Sequence, residues 1–274
     1  MSTTIERVIV PLDAAAENRA AIEMAARVAA RAQAALHGIF IEDEELLYVA
    51  ALPFTRQLAP GAGLQPFTTE DTELYLKAAA VRTRRELISA AQRHRVEASF
   101  EVMRGRPETA LSGLSERDLV VAGALGRPIA GHFRVECRWW SSIEIAPGPF
   151  LLARDGPNAG GAVVLLLRDR GPASARLLAA AAQVAEAGDG GLTVICPAAL
   201  ADASDFNDWL AEQLAGYRVR LRVETAPGEQ EALLHRIGEL GCRLVAIEAG
   251  SAEGGAARLR YFVERFTCDV LIVR

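Results

Sequence analysis

Short aliphatic runs alternate along this chain with longer stretches in which apolar positions recur every three or four residues. Arg7–Leu12 (RVIVPL) is the first run, a β-branched segment ending at Asp13, and reads as a buried strand. Asn18 opens a helical pattern with Ile22, Ala25, Ala26 and Ala29 on one face, and Leu36–Ile41 (LHGIFI) is a second strand. Strand, helix, strand in that order implies a right-handed parallel crossover. Glu42–Phe67 is less regular. It holds a short amphipathic piece, Glu45–Ala51, with Leu46, Leu47, Val49 and Ala50 on one face, then a loop marked by Pro53, Pro60, Gly61, Gly63 and Pro66. This insertion reads equally well as a flap on the sheet or between halves and as a docking surface. Thr68 and Thr69 ahead of Glu70, Asp71 and Glu73 start a helix that runs to about Arg93. Glu97–Met103 is predicted as a strand, Pro107–Ser115 as a helix, Asp118–Gly123 as a strand, Val135–Ile145 as a helix and Pro149–Ala153 as the fifth strand.

After a turn-rich linker, Asp155–Gly161, the same order begins again. Ala162–Leu167, Leu192–Cys196, Val219–Glu224, Leu244–Gly250 and Asp269–Val273 read as strands, with helices over Ala173–Glu186, Asp205–Ala215 and Glu229–Glu239. Local texture repeats as well as order. Arg104–Gly123 lines up with Pro227–Gly250, and APGPFLLAR (Ala146–Arg154) with FTCDVLIVR (Phe266–Arg274). The expectation is a duplicated α/β chain with parallel sheets, divided into units 1–155 and 156–274.

Composition narrows the function classes. Hydrophobic residues make up 51% of the 274 positions and the formal net charge is −5, so the chain has ample core and no basic excess for nucleic acid. Arg82, Arg84 and Arg85 sit at helical spacing and read as a solvated face. Cys137, Cys196, Cys242 and Cys268 form no CxxC pair and read as buried small hydrophobes in a reducing compartment. A polar N-terminus running directly into a strand, and aliphatic runs no longer than Val163–Leu167, argue for a cytoplasmic protein without a signal peptide or membrane insertion. His37, His94, His132 and His235 lack metal-site spacing, and Ser141–Ser142 lacks a nucleophile-elbow context, so neither a metal nor a catalytic residue is expected. Trp139 and Trp140 are adjacent and cannot both face one core, so one of them is expected at a contact with another domain or subunit.

Ligands of open parallel sheets bind beyond the carboxyl ends of the strands, where strand order reverses. Gly123 and Gly126 follow the fourth strand at G-x-x-G spacing, which brings backbone N–H groups within reach of a phosphate. In combination with the first strand ending in VPLD (Val10–Asp13), RGRPETAL (Arg104–Leu111), DLVVAGALGR (Asp118–Arg127) and the closing APGPFLLAR, the chain resembles a tandem universal stress protein. The resemblance implies two five-stranded domains of adenine nucleotide alpha hydrolase-like, Rossmann-like fold, forming a pseudo-dimer. It further implies self-association through the last strands, Phe150–Arg154 and Val270–Arg274, and a stress-response or regulatory role, non-enzymatic, with an unidentified protein partner.

Many members of that family bind ATP through G-x2-G-x9-G-[S/T], with adenine placed near the first-strand aspartate and an aliphatic residue ending the second strand. Carried onto this chain, the candidate crevice comprises Pro11, Asp13, Ile41, Ala122, Gly123, Gly126 and Arg127. The glycine–hydroxyl pair falls on Glu136 and Cys137. A carboxylate there would occupy a helix N-terminus meant for phosphate, and like charges ~4 Å apart repel by ~4 kcal/mol at an effective dielectric of ~20. In the second half, Gly250 aligns with Gly123, the following loop is shorter by about seven residues, and Arg168–Asp169 replaces Pro-Leu-Asp. The expectation is no cofactor, with ATP binding weak or lost; the alternative is an ATP- or AMP-binding protein that uses the first crevice, with slow hydrolysis. An unrelated α/β enzyme is a third reading.

Overall fold

Whether a strand is an unbroken apolar run or a mixed one depends on where it lies in a sheet. The computed structural model describes residues 5–14, 18–59, 63–123, 143, 145–154, 161–226, 230–250 and 255–274. The first half contains β1 (Arg7–Leu12), α1 (Arg19–Ala32), β2 (Ala35–Asp43), α2 (Glu44–Ala51), β3 (Arg56–Ala59), β4 (Gly63–Pro66), α3 (Thr69–His94), β5 (Ala98–Gly105), α4 (Pro107–Leu111), β6 (Asp118–Gly123) and β7 (Phe150–Ala153). The second contains β8 (Val163–Leu166), α5 (Pro172–Glu186), β9 (Gly191–Cys196), α6 (Ala198–Ala201), α7 (Phe206–Gln213), β10 (Arg220–Thr225), α8 (Gln230–Leu240), β11 (Leu244–Glu248), α9 (Gly255–Arg265) and β12 (Asp269–Val273).

Ten of these strands form one sheet in the order β10-β9-β8-β11-β12-β7-β6-β1-β2-β5. Each half therefore has its own strands in the order 3-2-1-4-5, and the halves meet at β7 and β12. Those two strands pair antiparallel, with Leu152 opposite Val270, Leu151 opposite Leu271 and Phe150 opposite Ile272. Every other pairing in this sheet is parallel. The segments named from the sequence as contact elements thus pair with each other within one chain. Being interior, they leave no free edge for a second copy; the outer edges belong to β5 and β10.

Position in the sheet explains the patterning. The central strands β6, β7, β11 and β12 are buried along almost their whole length, as strands covered on both faces must be. The edge strands β5 and β10 are largely exposed. Alternate residues point to opposite faces. Val8, Val10, Leu12, Leu119, Val121, Leu165, Val194 and Leu271 join α1, α3, α5 and α7 in one core that runs across both halves. Ile9, Val120, Phe150, Val164, Val245 and Ile272 join Leu111, Ile237 and Phe262 in the other. At Gly38 an added Cβ would lie 2.8 Å from a Leu87 methyl, so glycine lets α3 approach β2 closely.

Three sequence expectations change. Residues 53–67, predicted as a loop, contain the antiparallel β3–β4 hairpin, in which Arg56 faces Pro66 and Ala59 faces Gly63. The strands of this hairpin, four residues each, are too short to show periodicity. The helix predicted over 107–115 ends at Leu111, where the Ser112 hydroxyl donates to the Thr109 carbonyl ahead of Gly113. A one-turn helix, α6, precedes the helix predicted over 205–215, which itself spans 206–213. The Val135–Ile145 helix, apart from Ile143 and Ile145, and the Trp139–Trp140 contact lie outside the described residues. No described helix is long and apolar enough to cross a membrane.

Candidate functional site

Strand order reverses between β1 and β6 in the first half and between β8 and β11 in the second, which puts a crevice at the carboxyl edge of each half. In the first half, Pro11 and Ala122 are buried near the ends of β1 and β6, Ile41 is buried near the end of β2, and Gly123 closes β6. Asp13 follows β1, half-buried, and its backbone carbonyl accepts from Asn18 Nδ2 at 3.0 Å. These five residues are brought to one edge. Gly126, Arg127, Glu136 and Cys137 lie outside the described residues.

The insertion walls this edge with charge. Asp43 caps α2 by accepting from the Glu45 amide, and Thr68 caps α3 by accepting from the Asp71 amide. Tyr75 of α3 donates to the Ala14 carbonyl just beyond β1. Beside β2, the carboxylates of Glu42, Glu44, Glu45 and Glu73 surround the guanidinium groups of Arg104 and Arg106 at 2.7–3.8 Å. Both cations are therefore already neutralised. Outside this cluster α2 buries only Ala50 fully, and Tyr48, Val49, Leu52 and Phe54 are exposed, Phe54 to 98%.

The second-half edge holds a cavity of about 260 Å³. Its floor is apolar: Leu166 from β8, Ile195 from β9, Leu233 from α8, Ile247 from β11, and Leu259 and Phe262 from α9. Arg168, Cys196, Glu248 and Gly250 supply its polar atoms. Gly250 and Arg168 are close neighbours, since a Cβ at 250 would lie in ordinary contact with Arg168 Nη1, at 3.5 Å. Behind the cavity, Asp169 Oδ1 accepts from the Gly171 amide at 2.7 Å and from the Ser174 hydroxyl at 2.8 Å, at the start of α5. The Gly171 and Ser174 hydrogen bonds hold the Asp169 carboxyl below the usual carboxylate range. Ser174 Oγ also lies 3.5 Å from Glu248 Oε2. Burial pushes the Cys196 thiol up, which keeps it neutral.

The sequence marked Gly250 as the counterpart of Gly123 and Arg168–Asp169 as a departure, but not the cavity that Gly250 and Arg168 line. Its floor comes from five elements, so no local motif could announce it. The three described histidines have polar partners: His37 faces Ser99 and Glu101, His94 pairs with Glu23, and His235 pairs with Glu239. Among the described residues, no cluster of three or more His, Cys, Asp or Glu side chains is arranged to hold a metal ion.

No protein-family model matches the sequence, and no curated protein matches it. Solved structures do match. A universal stress protein from Archaeoglobus fulgidus DSM 4304 superposes with a TM-score of 0.67 at 14% identity, covering 98% of this chain and 96% of its own. A putative universal stress protein from Pseudomonas aeruginosa UCBPP-PA14 gives 0.60 at 16% identity, covering 98% and 93%. The cytoplasmic domain of a prokaryotic cation chloride cotransporter gives 0.52 at 13% identity, covering 98% and 95%. The same two-half architecture thus serves in more than one setting, and the fold alone does not name a ligand. Over its full length, this chain has the fold of solved universal stress proteins.

Proposed function

We propose that the chain is a non-enzymatic, cytoplasmic regulatory protein of universal stress type, built from units 1–155 and 156–274, that binds ATP weakly or not at all. One observation carries the reading. The second-half cleft is small and apolar, presents the Glu248 carboxylate at its polar side, and has the start of α5 already occupied by Asp169. A polyphosphate needs free amide donors and positive charge at that place. Arg168 is the one cation among the described lining residues, set against Glu248 in the same cleft. A carboxylate ~4 Å away repels a phosphate charge by ~4 kcal/mol at an effective dielectric of ~20, and even half of that is more than a tenfold loss of affinity. At about 260 Å³ the cavity is also just below the ~300–1,000 Å³ of pockets that hold drug-sized ligands, which supports a compact, mostly apolar occupant. The neutral Cys196 thiol and the Ser174 hydroxyl tied to Asp169 support binding rather than covalent catalysis. The exposed group Tyr48, Val49, Leu52 and Phe54 supports a protein partner on the opposite half.

Isothermal titration of the full chain with magnesium ATP tests the reading. The expected dissociation constant is ~1 mM or weaker, and one of ~10 μM or tighter overturns it. A second reading, ATP or AMP bound in the first crevice with slow hydrolysis, draws support from Asp13, Ile41, Ala122 and Gly123 lying at one edge. Tight binding that disappears in Asp13→Ala would select it.

A further inference from the structure

Two cysteines that the sequence places 26 residues apart meet inside the second half. Cys242, between α8 and β11, and Cys268, between α9 and β12, have their sulfurs 3.4 Å apart. Both are free thiols and both are buried. The contact follows from strand pairing. β11 and β12 are parallel neighbours with Leu244 opposite Asp269, so the residues that lead into them enter the sheet side by side. Neighbouring strands lie ~4.8 Å apart, within the ~4.4–6.8 Å Cα separation that a disulfide spans. Closing the sulfurs from 3.4 Å to a bond of ~2.05 Å asks for side-chain rotation and no rearrangement of the strands.

The pair is also reachable. A cavity of about 420 Å³, at the amino end of these strands and away from the ligand cleft, is lined by both cysteines together with His235, Gly238, Arg265 and Phe266. One water occupies ~30 Å³ in the liquid, so the space admits a small oxidant. The Arg265 guanidinium, held 3.7 Å over the Tyr261 ring, also lines this cavity. The hydrogen bond from Cys268 holds the Cys242 thiol below its usual range. That same hydrogen bond, with burial, pushes Cys268 up, so Cys242 is the more acidic of the two.

We propose that Cys242 and Cys268 form a reversible thiol–disulfide site that reacts with small hydroperoxides. The Cys242 thiolate attacks the terminal peroxide oxygen, the O–O bond breaks, and the departing alkoxide takes up the thiol proton, leaving a sulfenic acid on Cys242. Cys268 sulfur then attacks the Cys242 sulfur, the S–O bond breaks, and the hydroxide leaves as water with the Cys268 proton. Two thiols and one hydroperoxide thus give one disulfide, one alcohol (or water from hydrogen peroxide) and one water. The site does not depend on what fills the cleft of the second half.

The test uses the reduced full-length chain and hydrogen peroxide, with thiol titration, intact mass and peptide mapping. The expected result is the loss of two of the four thiols, a mass lower by two hydrogen atoms, a linked peptide pair containing Cys242 and Cys268, and full recovery with dithiothreitol. In Cys268→Ser the cross-link is expected to vanish, with Cys242 trapped as a sulfenic acid by dimedone. The proposal is overturned by a wild-type chain that keeps all its thiols, gains only oxygen, or forms its cross-link through Cys137 or Cys196. The wild-type peptide map separates these outcomes even where the serine variant does not fold.

Discussion

Asp118 opens β6 at the amino edge of the sheet, and its replacement by alanine is the most informative single perturbation of the fold. Its side chain is 1% exposed, and its two oxygens accept from Arg7 Nε at 2.8 Å and Arg7 Nη2 at 2.6 Å, tying β6 to β1. The Ser115 amide donates to the same carboxylate at 2.7 Å. Losing the charge-assisted bonds to Arg7 costs ~1.5–3 kcal/mol, and leaving the exposed Ser115 amide to water adds ~1 kcal/mol at the low end of its range. The guanidinium of Arg7 is 49% exposed and returns to solvent, so the larger penalty of a stranded buried charge does not apply. The expected loss is ~2–4 kcal/mol, or roughly 5–15 °C in Tm for a chain of this size. Burial pulls the Asp118 carboxyl up, but the hydrogen bonds from Arg7 and Ser115 outweigh it and leave it below the ordinary range. A depressed carboxylate stabilises the fold above its unfolded pKa of ~3.9 and loses that contribution as pH falls through the folded value. The gap between wild type and Asp118→Ala, measured by urea unfolding from pH 7 to pH 3, is therefore expected to narrow below about pH 4. Equal stability at pH 7, or a gap that does not narrow in acid, would refute the reasoning.

Two further substitutions probe the same fold from opposite directions. Gly148 precedes β7 where an added Cβ would lie 2.4 Å from the Asp118 carbonyl and within about 3.1 Å of the Ser115 and Glu116 carbonyls, so Gly148→Ala forces backbone apart. A loss of ~1–3 kcal/mol is expected in chemical denaturation, and a neutral result would contradict the packing described. Phe54→Ser removes a ring that is 98% exposed; its stability is expected to stay within ~0.5 kcal/mol of wild type, while retention of partner proteins in a pull-down falls. A stability change much larger than that would place Phe54 in the structure rather than at a docking surface.

The sequence determined the ten strands of the main sheet and their repetition, but not the β3–β4 hairpin. β6 and β12 occupy the ranges expected of them, because a strand buried on both faces must be apolar along the run that follows its first residue, and that demand is written locally. The same holds for α3, whose start is set by Thr68 and the acidic turn behind it. That Pro11, Asp13, Ile41, Ala122 and Gly123 fall at or near strand ends on one edge was likewise legible, since the end of a strand is a local feature and parallel strands share one carboxyl edge.

Only the tertiary structure decided which residues from distant elements face one another. The pairing of Arg7 with Asp118 across 111 residues, the meeting of Cys242 and Cys268, and the cavity walled by β8, β9, β11, α8 and α9 all depend on strand order and register. In the sequence Asp118 is only the polar start of a strand, and the four cysteines are scattered small hydrophobes. Periodicity reports which face of its own element a residue occupies. It carries no information about the neighbour across a hydrogen-bonded ladder, and in this chain those neighbours set the charge, the volume and the reactive thiols.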